Sequence, residues 1–278
     1  MLKQRVFTAL VMAGIFLGVI AFLPLPGIAL FFALVVALGA WEWAPLAGWR
    51  PAAARLLYVL LTMVALAGLY VYCALGDSPQ RARVQPVLGL GCLWWSFCLL
   101  WVKGYPASAA LWRSAVVRSL MGLFVLCFAW VAAVYLLSFP RGGLLMVAMV
   151  LAVATADIGA YFTGKHFGRH KLAVAVSPAK TWEGFWGGMF CALLLALLYW
   201  ALLPPSLSHV SLAAVITVTL STAMVSVVGD LTVSMIKREC GVKDSGSLLP
   251  GHGGVLDRLD SICGAAPVFA LGLLLAGW

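Results

Sequence analysis

Residues 116–138 read V-V-R-S-L-M-G-L-F-V-L-C-F-A-W-V-A-A-V-Y-L-L-S, an apolar run with one charge, Arg118, close to its start. A helix rises about 1.5 Å per residue, so about 20 such residues cross the roughly 30 Å hydrocarbon core of a bilayer. Lipid offers the backbone no hydrogen bonds, which leaves helices and closed barrels as spanning structures. Nothing in this run alternates apolar and polar as a barrel strand does. The stretch predicts a transmembrane helix.

Working outward, similar runs lie at 7–24, 27–47, 56–76, 86–102, 143–163, 184–203, 209–230 and 261–278. Together they predict an all-α, polytopic integral membrane protein with about nine transmembrane helices. Leu23-Pro-Leu-Pro-Gly27 between the first two suits a tight helical hairpin, because proline removes a donor and glycine permits the turn. Composition agrees: 64% of the 278 residues are hydrophobic and 10% charged, against about 25% charged in soluble domains. A soluble globule still has a polar surface to build, so this composition excludes one.

The net charge of +9 raises the question of nucleic acid. The basic residues form no free tail or stripe and sit between apolar runs, so no nucleic-acid partner is expected. Seven cysteines lie mostly within apolar runs without a CxxC pair and read as small buried hydrophobes. Lys3 and Arg5 precede an apolar stretch as in a signal peptide, but no small-residue cleavage motif with a polar mature region follows, so a retained first span is expected.

Lysine and arginine counts orient the spans. With the N-terminus cytoplasmic, the inside segments hold Lys3, Arg5, Arg50, Arg55, Lys103, Arg113, Arg118, Lys165, Arg169, Lys171, Lys180, Lys237, Arg238, Lys243 and Arg258. The outside segments hold Arg81, Arg83 and Arg141, and the C-terminus ends outside. Acidic residues divide the chain differently. Only Glu42 and Asp77 precede residue 150, whereas Asp157, Glu183, Asp230, Glu239, Asp244, Asp257 and Asp260 follow it. Several border or enter apolar runs, where an ionisable group is costly and usually functional. The expected organisation is a scaffold of spans over 1–140 and a catalytic membrane region with a polar, cytoplasm-facing site over 141–278.

Chemistry concentrates in two places. In the first, Asp230, Ser234 and Lys237 fall four and three apart on one helix face, and Asp257 and Asp260 share a face at the start of the last span. Carboxylates at the ends of two neighbouring spans suit Mg²⁺, which takes hard oxygen ligands, often one or two carboxylates plus water and phosphate. Lys237, Arg238, Lys243 and Arg258 add positive charge, and Asp244 lies among them. The Pro250-Gly-His-Gly-Gly254 loop lets backbone N–H groups of Gly253 and Gly254 approach phosphate, with His252 in a supporting role. The competing reading is a solvated loop held by ordinary salt bridges.

The second place begins with Asp157, Tyr161 and Lys165, four apart on one emerging helix face. Ser177-Pro-Ala-Lys180-Thr181 before the next apolar run looks like a helix start, capped by Thr181 or Ser177, with Lys180 beside exposed N–H groups as an anion site. A polar cytoplasmic loop is the alternative. Trp41-Glu42-Trp43 reads as an interfacial aromatic belt with Glu42 structural, and the tryptophans at 94–101 read as wall or belt.

Residues 234–260, S-M-I-K-R-E-C-G-V-K-D-S-G-S-L-L-P-G-H-G-G-V-L-D-R-L-D, resemble the signature of the phosphatidate cytidylyltransferase (CDP-diacylglycerol synthase) family along their whole length. D-I-G-A-Y-F-T-G-K-H-F-G-R-H-K-L (157–172) and S-P-A-K-T-W-E-G (177–184) resemble it too, so the likeness covers 150–263; earlier spans agree in hydropathy and the W-E-W triplet. Val174 and Ala175 depart from it, standing where a proline and often a basic residue would precede Ser-Pro. The resemblance implies a Mg²⁺-dependent transfer of CMP from CTP to phosphatidic acid, giving CDP-diacylglycerol and pyrophosphate in phospholipid biosynthesis, in a bacterial inner membrane. It implies metal binding at Asp230 and Asp257, to which Asp260 is added here, a second ion (K⁺), phosphate contacts at Lys237, Arg238 and Arg258, and a homodimer. A CTP-dependent lipid kinase and a membrane transporter are the rival readings. The kinase would move the γ-phosphate instead; against the transporter stand the lack of an inverted repeat and the cations crowded among the acids.

Overall fold

The computed structural model describes residues 2–76, 78–204, 209–249, 251 and 253–277. Each of the nine apolar runs is a helix: α1 (Leu2–Phe22), α2 (Leu25–Leu46), α3 (Ala52–Tyr72), α4 (Arg81–Gly104), α6 (Ala115–Leu137), α7 (Gly142–Phe167), α8 (Trp182–Ala201), α9 (Leu212–Glu239) and α10 (Leu256–Leu275), with a four-residue α5 (Ala109–Trp112) before α6. Among the described residues eight are long and apolar enough to cross a membrane, and α1 contributes the apolar stretch Leu10–Phe22. Pro24 caps α2 in an extended conformation, with Pro26 in its first turn, and makes the expected hairpin with α1.

The helix quoted first lies at the centre. α6 packs against α2, α3, α4, α7 and α10, and Met121, Val125, Val131 and Val134 are fully buried on it. Trp130 donates its indole N–H to the Ala29 carbonyl at 3.0 Å, tying α6 to α2. Outward-facing leucines such as Leu30, Leu34, Leu60 and Leu61 stay exposed, as side chains facing lipid do. One large buried cluster includes α2, α4 and α6 together with α9 and α10.

Two helix pairs approach closely. A Cβ at Gly229 of α9 would run into the Asp260 carbonyl of α10, and one at Gly264 would stand 2.5 Å from the Val225 carbonyl. Glycine at both positions lets the backbones meet, as small residues do between membrane helices. A Cβ at Gly188 of α8 would likewise stand 2.6 Å from the Ala156 carbonyl of α7.

Between α7 and α8 the chain forms an antiparallel hairpin, β1 (Lys171–Ala173) and β2 (Ser177–Thr181), pairing Lys171 with Thr181 and Ala173 with Ser177. This narrows the helix-start expectation. Thr181 is the cap, accepting the Gly184 N–H at 3.1 Å, while Ser177 is a strand residue. Glu183 closes the hairpin base, accepting the backbone N–H groups of Arg169 (3.1 Å) and His170 (3.2 Å) and lying 2.6 Å from His170 Nδ1.

Two tryptophans of the expected belt or wall need correction, while Trp41, Trp94 and Trp101 are half-buried. Trp43 has no exposed surface and donates to the Arg118 carbonyl at 2.8 Å, and Trp95 is buried as well. Both are core. Four cysteines, Cys73, Cys98, Cys127 and Cys263, are buried as expected, and the rest are half-buried.

Candidate active site

The ends of α7 and α9, the starts of α8 and α10, and the β1–β2 hairpin meet at one end of the bundle. α9 continues well past its apolar stretch, so its last turns carry Asp230, Ser234 and Lys237 on the predicted shared face. Ser234 Oγ donates to Asp230 Oδ1 at 3.2 Å. β2 brings Lys180 to the other oxygen, Nζ to Oδ2 2.5 Å. One turn beyond Ser234, Lys237 Nζ donates to Asp257 Oδ1 at 2.7 Å, across to the first turn of α10.

Asp257 Oδ2 accepts the N–H groups of Ser245 (2.9 Å) and Gly254 (3.0 Å), so this carboxylate folds the connecting loop as well as pairing with lysine. Gly253 sits against it with φ +83°, in the left-handed region that glycine adopts freely. Asp260 follows one turn later and is 7% exposed, with Oδ1 on its own Ser261 N–H at 2.7 Å. It lies within electrostatic reach of Asp230, Lys237 and Lys180, and Asp157 within reach of Lys180 and Asp230.

A cleft of about 330 Å³ opens beside this array, lined by Asp157, Tyr161, Lys165, Lys180 and Thr181 together with Phe185 and Val227. Lys165 Nζ stands 5.8 Å from the Tyr161 ring centre. The two places singled out in the sequence are therefore one site, joined by Lys180.

Other predicted residues stand at its rim. Arg238 is exposed and braces the hairpin and the loop, donating to the carbonyls of Val176 and Val242, both at 3.2 Å. Lys243, Asp244 and Arg258 are exposed, and the Asp244 side chain lies beside Gly253. His252 lies outside the described residues.

Among the described residues no three His, Cys, Asp or Glu side chains are grouped to hold a metal ion. The donor chemistry nevertheless fits Mg²⁺. Asp157, Asp230, Asp257 and Asp260 all offer the hard oxygens that Mg²⁺ takes, with Lys165, Lys180 and Lys237 among them. The lysine ammonium groups stand on the very oxygens that a metal would take.

Glu42 is structural, as the sequence suggested, but its partners lie in the polar loop rather than in an interfacial belt. It is 3% exposed and reaches from α2 to the start of α10, where Oε1 accepts Val255 N–H at 3.1 Å and Oε2 accepts Leu256 N–H at 2.8 Å. Ser245 Oγ donates to Oε2 at 3.2 Å. The available signal was a lone acid inside an apolar run, which deserved more than a belt reading.

The profile of the Cytidylyltransferase family matches residues 3–276. A protein of Pseudomonas aeruginosa named phosphatidate cytidylyltransferase is 45% identical to this chain, over 100% of the chain and 99% of its own length. One of the same name from Haemophilus influenzae is 38% identical over 97% and 98%. Another so named, from Mycobacterium leprae, is 39% identical over 60% of this chain and 52% of its own. The chain belongs to the cytidylyltransferase family.

Proposed function

We propose that this protein is a phosphatidate cytidylyltransferase, transferring CMP from CTP to phosphatidic acid to give CDP-diacylglycerol and pyrophosphate. The carrying observation is the pair of contacts Lys180–Asp230 and Lys237–Asp257, with Asp260 within electrostatic reach of both lysines, at the membrane-helix ends. Carboxylates interleaved with cations suit a metal–polyphosphate. Full-length similarity to relatives of that name supports the same substrates.

A phosphatidate oxygen attacks the α-phosphorus of CTP in line. The new O–P bond forms as the bond to the β-phosphate oxygen breaks, and pyrophosphate leaves with the electron pair. Such transfers depend mainly on positioning and charge neutralisation. A phosphate monoester is largely ionised at neutral pH, its second pKa being about 6, so no strong base is required and His252 has no such part. Lys180 and Lys237 donate to phosphate oxygens, and Arg238, Lys243 and Arg258 at the rim attract the polyphosphate. Asp230, Asp257 and Asp260 would hold Mg²⁺, which when bound neutralises charge on the phosphates and the leaving group; a K⁺ ion beside it is part of the same reading.

Lipid tails must stay in the bilayer while the nucleotide stays in water, which suits a site at helix ends. The fifteen-to-three lysine and arginine distribution supports a cytoplasmic location for that end, in the bacterial inner membrane, with the C-terminus outside. The homodimer and the division into scaffold (1–140) and catalytic region (141–278) belong to this reading. The test is purified protein in detergent with phosphatidic acid, CTP and Mg²⁺. CDP-diacylglycerol and pyrophosphate should appear in equal amounts, and phosphorylated lipid with CDP would contradict the proposal.

A further inference from the structure

We infer that Glu42 is a positioning residue of the active site, holding Ser245 and the 254–256 turn so that Asp257 meets Lys237. The inference rests on the cytidylyltransferase reading for the word active, but its structural content stands apart from it.

Three donors of that loop converge on one carboxylate: the N–H groups of Val255 and Leu256 and the hydroxyl of Ser245. Ser245 and Gly254 give their own N–H groups to Asp257. Glu42 and Asp257 thus hold the same residue, one through Ser245 Oγ and the other through Ser245 N. The first N–H groups of a helix have no partners within it, and a carboxylate there satisfies them and complements the helix dipole.

The loop is shaped around this carboxylate. A Cβ on Gly246 would strike Glu42, standing 2.7 Å from its Cδ and 2.9 Å from its Cγ; a Cβ on Gly254 would stand 2.5 Å from Oε2. Glu42 alone fills the space at Gly246, and at Gly254 it does so together with Ser245 Oγ, which a Cβ would meet first. Among the described residues no lysine or arginine hydrogen-bonds this deeply buried carboxylate, so its desolvation is offset by these three contacts.

Glu42→Gln tests the idea, since it keeps the size but turns one acceptor into a donor facing an N–H group. Amide hydrogen exchange of the protein in detergent, without substrates, should show residues 245 and 254–256 exchanging at least about 10-fold faster, with α6 unchanged. The kcat for cytidylyl transfer should fall about 100-fold with little change in KM for CTP, as expected for a small misplacement of reacting groups. Gly246→Ala should reproduce both effects by displacing Glu42, and the double variant should be no worse than either single one. Unchanged loop protection in Glu42→Gln, equal loss of protection in α6, or multiplying effects in the double variant would each overturn the inference. The exchange result holds whatever reaction the protein catalyses.

Discussion

Lys237 Nζ lies 2.7 Å from Asp257 Oδ1, and only 9% and 6% of these side chains reach solvent. Removing one member of a buried pair strands the other charge, at a cost of about 3–5 kcal/mol, whereas replacing both by apolar groups is often neutral. Lys237→Met should therefore lower the melting temperature and abolish turnover. Lys237→Met combined with Asp257→Leu should recover much of the stability and none of the activity. Thermal unfolding in detergent, beside CDP-diacylglycerol assays, separates the two effects.

Lys180 and Asp230 make a different pair, 26% and 30% exposed. Partly exposed ion pairs contribute about 0–1 kcal/mol. Lys180→Gln should shift the melting temperature little but reduce kcat at least about 100-fold, because the proposed reaction uses its ammonium to neutralise developing phosphate charge. A large melting shift with unaltered kcat would refute the assignment.

Gly229→Ala should push α9 away from α10 at the Asp260 carbonyl, destabilising by about 1–3 kcal/mol as overpacking does. It separates Asp230 from Asp260, so turnover should fall further than stability. Gly68→Ala, with nothing within 4 Å of its added Cβ, serves as the comparison and should leave both nearly unchanged.

Chelation of divalent ions should stop turnover without moving the melting temperature by more than a degree or so. Lys180 and Lys237 already partner Asp230 and Asp257, so the fold does not depend on the metal as a structural zinc site does. Restoring Mg²⁺ should restore activity fully. A large drop in melting temperature on chelation would show that the ion is structural.

The spans were legible because lipid imposes a single solution on any long apolar run, and residues 116–138 showed it alone. The faces of α9 and α10 were legible for a related reason: Asp230, Ser234 and Lys237 keep helical spacing. What failed depended on distant partners. Ser177 and Thr181 are both good caps locally, and the strand pairing of Ser177 with Ala173 decided between them. Trp41-Glu42-Trp43 has the composition of a belt, yet its middle and last residues find their partners at 255–256 and 118. No local pattern encodes that Lys180, rather than a rim arginine, would reach Asp230.

The central claim is that CMP, and no other part of CTP, moves to lipid. Purified protein with phosphatidic acid and Mg²⁺ should be given CTP labelled at the α- or the γ-phosphate, in parallel with Asp230→Asn. The account predicts α label in the lipid, γ label in pyrophosphate, and neither transfer in the variant. The γ label in lipid would establish a lipid kinase instead, and transfer undiminished in Asp230→Asn would remove the site described here from the chemistry.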